Sequence, residues 1–318
     1  MNEKHNTKRK VAIACQGGGS LTAFTAGALK KILSRHNSFY EIVALSGTSG
    51  GAICGLLAWY GLFQKNTAKS AKLLDEFWQA ISAQSPIDRL INDWLVWGLQ
   101  FQGFIAIPEV SPYYLPSWGQ NKLRSILESL VDFQVFKLLN SQSSPSLLVG
   151  AVEALSGEFR VFKNNEIQAD TILASAALPT LFKAVKIEDG VYWDSLFVRN
   201  PPVRDLCHTQ IDEIWIIQIN PQKRQNEPTQ IHEIQDRRNE LAGNISLNQE
   251  IHFIETINNF VKQKTLIDPK YRHIEIRRIE MNRALDYASK LNLSPSFIEE
   301  LTNHGQRVAE DFLNDLVR

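Results

Sequence analysis

The first sixty residues predict an α/β fold built on parallel strands, and two observations carry that expectation. Residues 10–15 (KVAIAC) form a short apolar run that leads into Gln16-Gly17-Gly18-Gly19-Ser20. A segment of helical spacing follows at 21–35, apolar at Leu21, Phe24, Ala28, Leu29 and Leu33. Residues 41–45 (EIVAL) then repeat the pattern, ending in a second glycine cluster and the apolar run 52–62. Strand, glycine loop, helix, strand, tight turn, helix is a βαβα opening, and strands joined through helices run parallel.

The second cluster, Gly47-Thr48-Ser49-Gly50-Gly51, matches G-x-S-x-G, the strand-to-helix elbow that presents a nucleophilic serine. An ordinary turn can share that pattern. The strand before it and the helix-length run after it favour the elbow. Gly47 and Gly51 are placed where a Cβ would obstruct a sharp turn. Ser49 then starts a helix, where free N–H groups and the positive end of the helix dipole favour negative charge.

The first glycine loop admits three functions. A dinucleotide cradle needs another glycine where Thr22 stands, and an acidic residue where the second strand ends in Ser46. A P-loop needs G-K-[ST] after four residues, which nothing beyond Gly17 supplies. An oxyanion hole needs only backbone donors beside the nucleophile's strand. The third reading is favoured, with Gly17, Gly18 and Gly19 as donors; glycines placed merely for tight packing are the alternative.

Composition narrows the class. Hydrophobic content of 44% with 21% charged residues describes an ordinary globular chain of 318 residues. Lys+Arg and Asp+Glu are both 34, which removes the electrostatic case for nucleic acid as main partner. Cys15, Cys54 and Cys207 are too few and too scattered for a disulfide framework or a zinc site. His232 and His252 have no partner spacing that suggests a metal, so neither metal nor cofactor is expected. The opening ten residues are polar and basic without an apolar core, so no signal peptide is expected. The longest apolar run, 52–63, is too short to span a bilayer. These features point to a cytoplasmic protein, peripheral to a membrane at most.

Residues 66–102 have a helical pattern, and an aromatic run follows from Trp94 to Trp118. It reads either as a helical cap packed on the core or as a lid or surface that meets acyl chains. Further on, 121–130 is an amphipathic helix, 146–154 and 158–163 are strands turning at Ser156-Gly157, and 171–177 is a short helix stopped by Pro179. Strands at 183–188 and 191–193 flank Asp189-Gly190, a hairpin turn. The second of these delivers Asp194, ahead of a loop stiffened by Asn200-Pro201-Pro202. A serine needs a base to take its proton. Asp194 and Asp189 both compete for that part, and the turn explains Asp189 without chemistry.

Together these residues resemble the patatin-like phospholipase family. The resemblance rests on the glycine-rich unit 15–27, the elbow 47–51, the run Ala174-Ser175-Ala176-Ala177-Leu178-Pro179-Thr180-Leu181-Phe182, and Tyr192-Trp193-Asp194 through Asn200-Pro201, in the family's order. It implies a three-layer α/β/α sandwich and a Ser–Asp dyad: Ser49 as nucleophile, Asp194 as base, Gly17, Gly18 and Gly19 as oxyanion donors. It also selects Asp194 over Asp189 by the spacing to Asn200-Pro201. The implied activity is hydrolysis of fatty-acyl esters of phospholipids, lysophospholipids or related lipids at a membrane or micelle surface, without calcium or other metal. The chain departs from the family at Leu21 and Thr22, where a cation and a glycine are common, and at Ser195 and Leu196, where small residues follow the aspartate. The second departure is expected to crowd the base.

Three rivals remain. An α/β-hydrolase or a malonyl transferase would use the same serine with a histidine base, for which His208, His273 and His304 are available. The former has more strands upstream of its elbow, and the latter an arginine on the elbow helix, which residues 50–62 lack. A lipid-binding scaffold would keep the fold without turnover. The domain reading is a polar tail at 1–9 and one catalytic domain at 10–318, with a helical insertion at 66–145 and a C-terminal helical extension at 225–318. The last third of the chain holds a strand at 211–219 ahead of that extension and, within it, a long helix at 231–264, a strand at 273–279 and a terminal helix at 294–316. Its role is open between acyl-tail binding, an effector site and a homo-oligomer surface.

Overall fold

The computed structural model describes residues 8–83, 111–140, 145–179, 181–283, 285 and 288–317. The expected helix beyond 83 and most of the aromatic run lie outside the described residues. The chain folds as a mixed α/β structure whose central sheet is mainly parallel. β1 (Arg9–Cys15) pairs in parallel with β2 (Tyr40–Gly47) on one side and β7 (Glu213–Gln218) on the other. β3 (Ser146–Glu153) extends the sheet beyond β2, and β8 (Glu275–Glu280) extends it beyond β7, both in parallel. β4 (Phe159–Lys163) folds back antiparallel on β3, as the turn at Ser156-Gly157 predicts.

Alternation along the strands separates two apolar layers, because successive side chains point to opposite faces. Val11, Ile13 and Cys15 of β1 face one side. They pack there with α1 (Ala23–Ser34), α2 (Gly50–Phe63), α3 (Thr67–Ile81) and α7 (Pro295–Asp315). Ala12 and Ala14 face the other side, against Leu247, Ile251 and Ile254 of α6 (Ile231–Lys262). Helices on both faces of one sheet give the three-layer arrangement.

The geometry that matters for chemistry is set by β3. Its Val152 pairs with Phe159 of β4 on one edge and with Trp193 of β6 (Gly190–Trp193) on the other. β6 therefore lies on the β2 edge, in the space left where β2 ends opposite Val149. Because β6 runs antiparallel to β3, its last residue comes back toward the elbow. β5 (Val185–Ile187) and β6 form the expected hairpin, turning at Glu188 and Asp189. Two further helices, α4 (Trp118–Leu130) and α5 (Ala169–Ser175), lie near this end of the sheet.

The last third is not an appendage. β8 completes the sheet, and α7 crosses α1 closely enough that both helices need glycine at the crossing. A Cβ on Gly27 would lie 1.9 Å from the Thr302 carbonyl oxygen, and one on Gly305 would lie 2.0 Å from that of Phe24. Gly305→Ala should gain about 1 kcal/mol of helix propensity yet lose more by forcing the helices apart, about 1–3 kcal/mol for overpacking. Urea unfolding should show a net loss of stability; an unchanged or higher midpoint would contradict the crossing.

Candidate active site

Ser49 lies between β2 and α2 with φ 57° and ψ −133°, a left-handed φ that a side chain adopts at a cost of about 1–3 kcal/mol. The surrounding backbone holds it there. Gly51 N–H donates to Thr48 O at 2.9 Å, and Ile53 N–H donates to Ser49 O at 3.1 Å. The glycines are needed for close approach: a Cβ on Gly51 would lie 2.3 Å from Cys15 O, and one on Gly47 would lie 2.6 Å from Ala52 N. Ser49 is the N-cap of α2 but makes no capping bond with its side chain. Its side chain lies beside the Asp194 carboxyl and favours that group's charged form.

Both groups are withdrawn from water, Ser49 at 9% exposure and Asp194 at 2%. Asp194 reaches the elbow because β6 ends there. Its N–H donates to Ala177 O at 3.0 Å, and its Oδ1 accepts from Leu196 N–H at 2.8 Å. Burial pushes its pKa up to about 7, against the neighbouring Ser49 side chain and the Leu196 N–H, which favour the charged form. Asp189 stands apart, exposed in its hairpin turn. No histidine among the described residues bonds either group: His208 and His273 are exposed, and His304 bonds the Met281 carbonyl at 2.7 Å.

Beside the elbow, β1 hands over to the glycine loop in register, with Cys15 opposite Gly47. Gly17 passes so close that a Cβ there would meet Thr48 O at 2.5 Å and the Ser49 Cβ at 2.9 Å. The expectation that all three glycine amides face an oxyanion needs correction at Gly17. Its buried N–H donates to Asn200 Oδ1 at 2.6 Å, since a buried donor takes an acceptor within reach. Gly18 is extended at φ 166° and Gly19 is left-handed at φ 60°. No acceptor among the described residues takes either N–H.

Sequence reasoning missed the residues that tie these pieces together. Asn200, fully buried, also donates its Nδ2 to Gly17 O at 3.1 Å. The preceding carbonyl, of Arg199, accepts from Thr48 Oγ1 at 3.2 Å and from Ser195 Oγ at 3.3 Å. One dipeptide thus fastens the glycine loop, the elbow and the loop after Asp194. Ser175 adds a second tie, accepting from Ser49 N–H at 2.9 Å while donating to Gly150 O at 2.7 Å. Gln16 adds a third: its Oε1 accepts from the N–H groups of Ile219 and Asn220 at 2.9 and 2.8 Å. Ser195, expected with Leu196 to crowd Asp194, turns its hydroxyl to the Arg199 carbonyl. The only sequence signals for these roles are polar residues set among apolar or small ones, as at Gln16 and Ser175.

The last third buttresses the same loops. Glu250 of α6 accepts from the Arg199 guanidinium, and from Val203 and Arg204 N–H at 2.8 Å each. Asn244 of the same helix accepts from Gln16 Nε2 at 3.1 Å. Among the described residues no cluster of His, Cys, Asp and Glu could hold a metal ion.

A strained serine elbow beside a buried carboxyl, on a mainly parallel sheet between helical layers, is the site this α/β fold presents. The family follows from comparison: a family model described as Patatin-like phospholipase matches residues 13–206, more than half the chain, and the protein belongs to that family. A comparison with curated proteins found no match. Among solved structures the chain is similar to VipD from Legionella pneumophila, at 12% identity and a TM-score of 0.45, covering 97% of this chain and 67% of that one. It is also similar to the type III effector ExoU, at 14% identity and a TM-score of 0.39, covering 96% and 53%. ExoU in its complex with SpcU from Pseudomonas aeruginosa gives 15% identity and 0.40, covering 98% and 52%. The chain therefore spans two thirds of the first neighbour and about half of the others.

Two outcomes follow from the site's geometry. Asn200→Ala leaves the Gly17 N–H and C=O buried and unpaired, a loss of about 1–3 kcal/mol for each stranded group; thermal unfolding should register it, and an unchanged melting temperature would contradict the tie. Asp194 keeps its proton to higher pH when folded than when unfolded, where its value is about 4. Between about pH 4 and 7 the folded state binds more protons, so this group's contribution to stability falls as pH rises and is most unfavourable above 7. Asp194→Asn should therefore be more stable than wild type at pH 8, by a few kcal/mol at most, and the gap should close toward pH 4. A gap that widens on acidification would reverse the sign.

Proposed function

We propose that this protein is a serine lipid acyl hydrolase that works through a Ser49–Asp194 dyad. The observation that carries the reading is a strained elbow serine set beside a buried carboxyl whose charged form it favours. Membership of a phospholipase family supports lipid hydrolysis as the coarse activity. The dyad, the acyl-enzyme route and the lipid ester as substrate are the finer reading.

In this mechanism the ionised carboxylate of Asp194 accepts the Ser49 proton as Oγ attacks the ester carbonyl carbon. The carbonyl oxygen becomes an oxyanion and takes hydrogen bonds from the Gly18 and Gly19 amides. Each such donor is worth about 3 kcal/mol of transition-state stabilisation. Collapse breaks the ester C–O bond, and Asp194 returns the proton to the leaving alcohol. Water then attacks the acyl-enzyme with Asp194 again as base, releasing the fatty acid and restoring Ser49. The positive end of α2 supports the developing charge. The base must be ionised to act, so turnover should rise with pH around an apparent pKa near 7 and level off above it.

Released fatty acid from a lipid panel, read by mass spectrometry, tests the reading. Ser49→Ala and Asp194→Asn should each eliminate turnover of lipid and of a short p-nitrophenyl ester without unfolding the protein. Asp189→Asn should leave most activity. Equal loss in the two aspartate variants would mean that the base is misassigned.

A further inference from the structure

The face beside the active-site end of the sheet carries an exposed apolar cluster that the fold itself does not use. Tyr114 and Trp118 are 85% and 76% exposed, and Tyr113, Leu115 and Leu181 lie open beside them. These residues belong to two segments held against each other. Gln120 Nε2 donates to Lys183 O at 2.8 Å, and Ala184 N–H donates to Tyr113 Oη at 3.2 Å. The Phe182 ring approaches Gly119, where an added Cβ would lie 3.0 Å from Cε1. The second segment starts a few residues after Ala177, whose carbonyl accepts from Asp194 N–H. The cluster therefore borders the base rather than the far end of the molecule.

Its basic residues are Lys122, Lys183 and Lys186, with Glu109, Glu188 and Asp189 the carboxylates that flank segments 111–123 and 181–187 in sequence. Lys122 stands one helical turn after Trp118 on α4, so both lie on one face of that helix. Tyr and Trp rings place an apolar body and a polar tip at a lipid–water boundary, and Lys near such a boundary is drawn to anionic headgroups. No helix among the described residues is long and apolar enough to cross a membrane.

We infer that the surface formed by Tyr113, Tyr114, Leu115, Trp118, Leu181 and Lys122 docks the protein on an anionic phospholipid bilayer. The inference rests on the lipid-hydrolase reading and names the face through which it is exercised. Aromatic side chains insert at headgroup level, the lysines contact anionic lipid, and the bilayer is brought beside a serine and a carboxyl that both lie beneath the protein surface.

Vesicle flotation tests this with the full chain. Wild type should float with mixed phosphatidylcholine–phosphatidylglycerol vesicles and bind pure phosphatidylcholine more weakly. The double variant Tyr114→Ser with Trp118→Ser should bind the mixed vesicles at least about tenfold more weakly. Lys122→Ala should bind about fivefold more weakly, an effect that salt removes. Both variants should keep wild-type hydrolysis of a soluble short-chain ester, because neither touches Ser49 or Asp194. Wild-type binding by both variants, or no binding by wild type, would overturn the inference. So would wild type self-associating through this face in the absence of lipid, with the double variant monomeric. If wild type floats and the double variant does not, but no ester is hydrolysed, the docking face stands and the hydrolase reading fails.

Discussion

A serine and a carboxyl set side by side, with both shut away from water, are the feature on which this structure turns. Neither partner is comfortable alone. Ser49 holds a backbone angle that side chains avoid, and Asp194 is buried deeply enough that its proton is retained to near neutrality. Each unfavourable feature is tolerated because the surrounding ties over-determine it. The fold spends stability to keep the pair poised.

Those ties come from segments far apart in the chain. Asn200 clasps Gly17 from both sides, the Arg199 carbonyl joins the elbow to the loop after Asp194, and Ser175 bridges Ser49 to β3. Behind them, Glu250 and Asn244 of α6 grip the same loops from beyond the region that the family match covers. The open question of what the last third does thus has a physical answer within this structure. It completes the sheet, crosses α1 through two glycines, and fixes the loops that carry the site. A substitution far along the sequence can reach these loops through such bonds without touching Ser49 or Asp194.

The legible part of this arrangement was local. The strands at 10–15 and 41–45, the elbow, the hairpin at Asp189-Gly190 and the small helix before Pro179 each follow from a period, a turn residue or a stop signal. Asp194 was legible as a residue at a strand end, and the resemblance to a family separated it from Asp189. The clamp at Asn200 was not legible, because its partner lies 183 positions away and an asparagine before two prolines reads simply as a stiff loop. The same holds for Gly17: three consecutive glycines look equivalent until the fold supplies an acceptor to one of them. Nor could local pattern show that β6 occupies the space left by the end of β2, a consequence of register across β3.

The most direct measurement is the rate at which a fluorophosphonate probe labels the folded protein as pH is varied, with the modified peptide located by mass spectrometry. A buried carboxylate acting as base requires the adduct on Ser49, a labelling rate that climbs around pH 7, and no adduct in Asp194→Asn. Labelling of Ser49 that persists in Asp194→Asn with an unchanged pH profile would contradict the dyad.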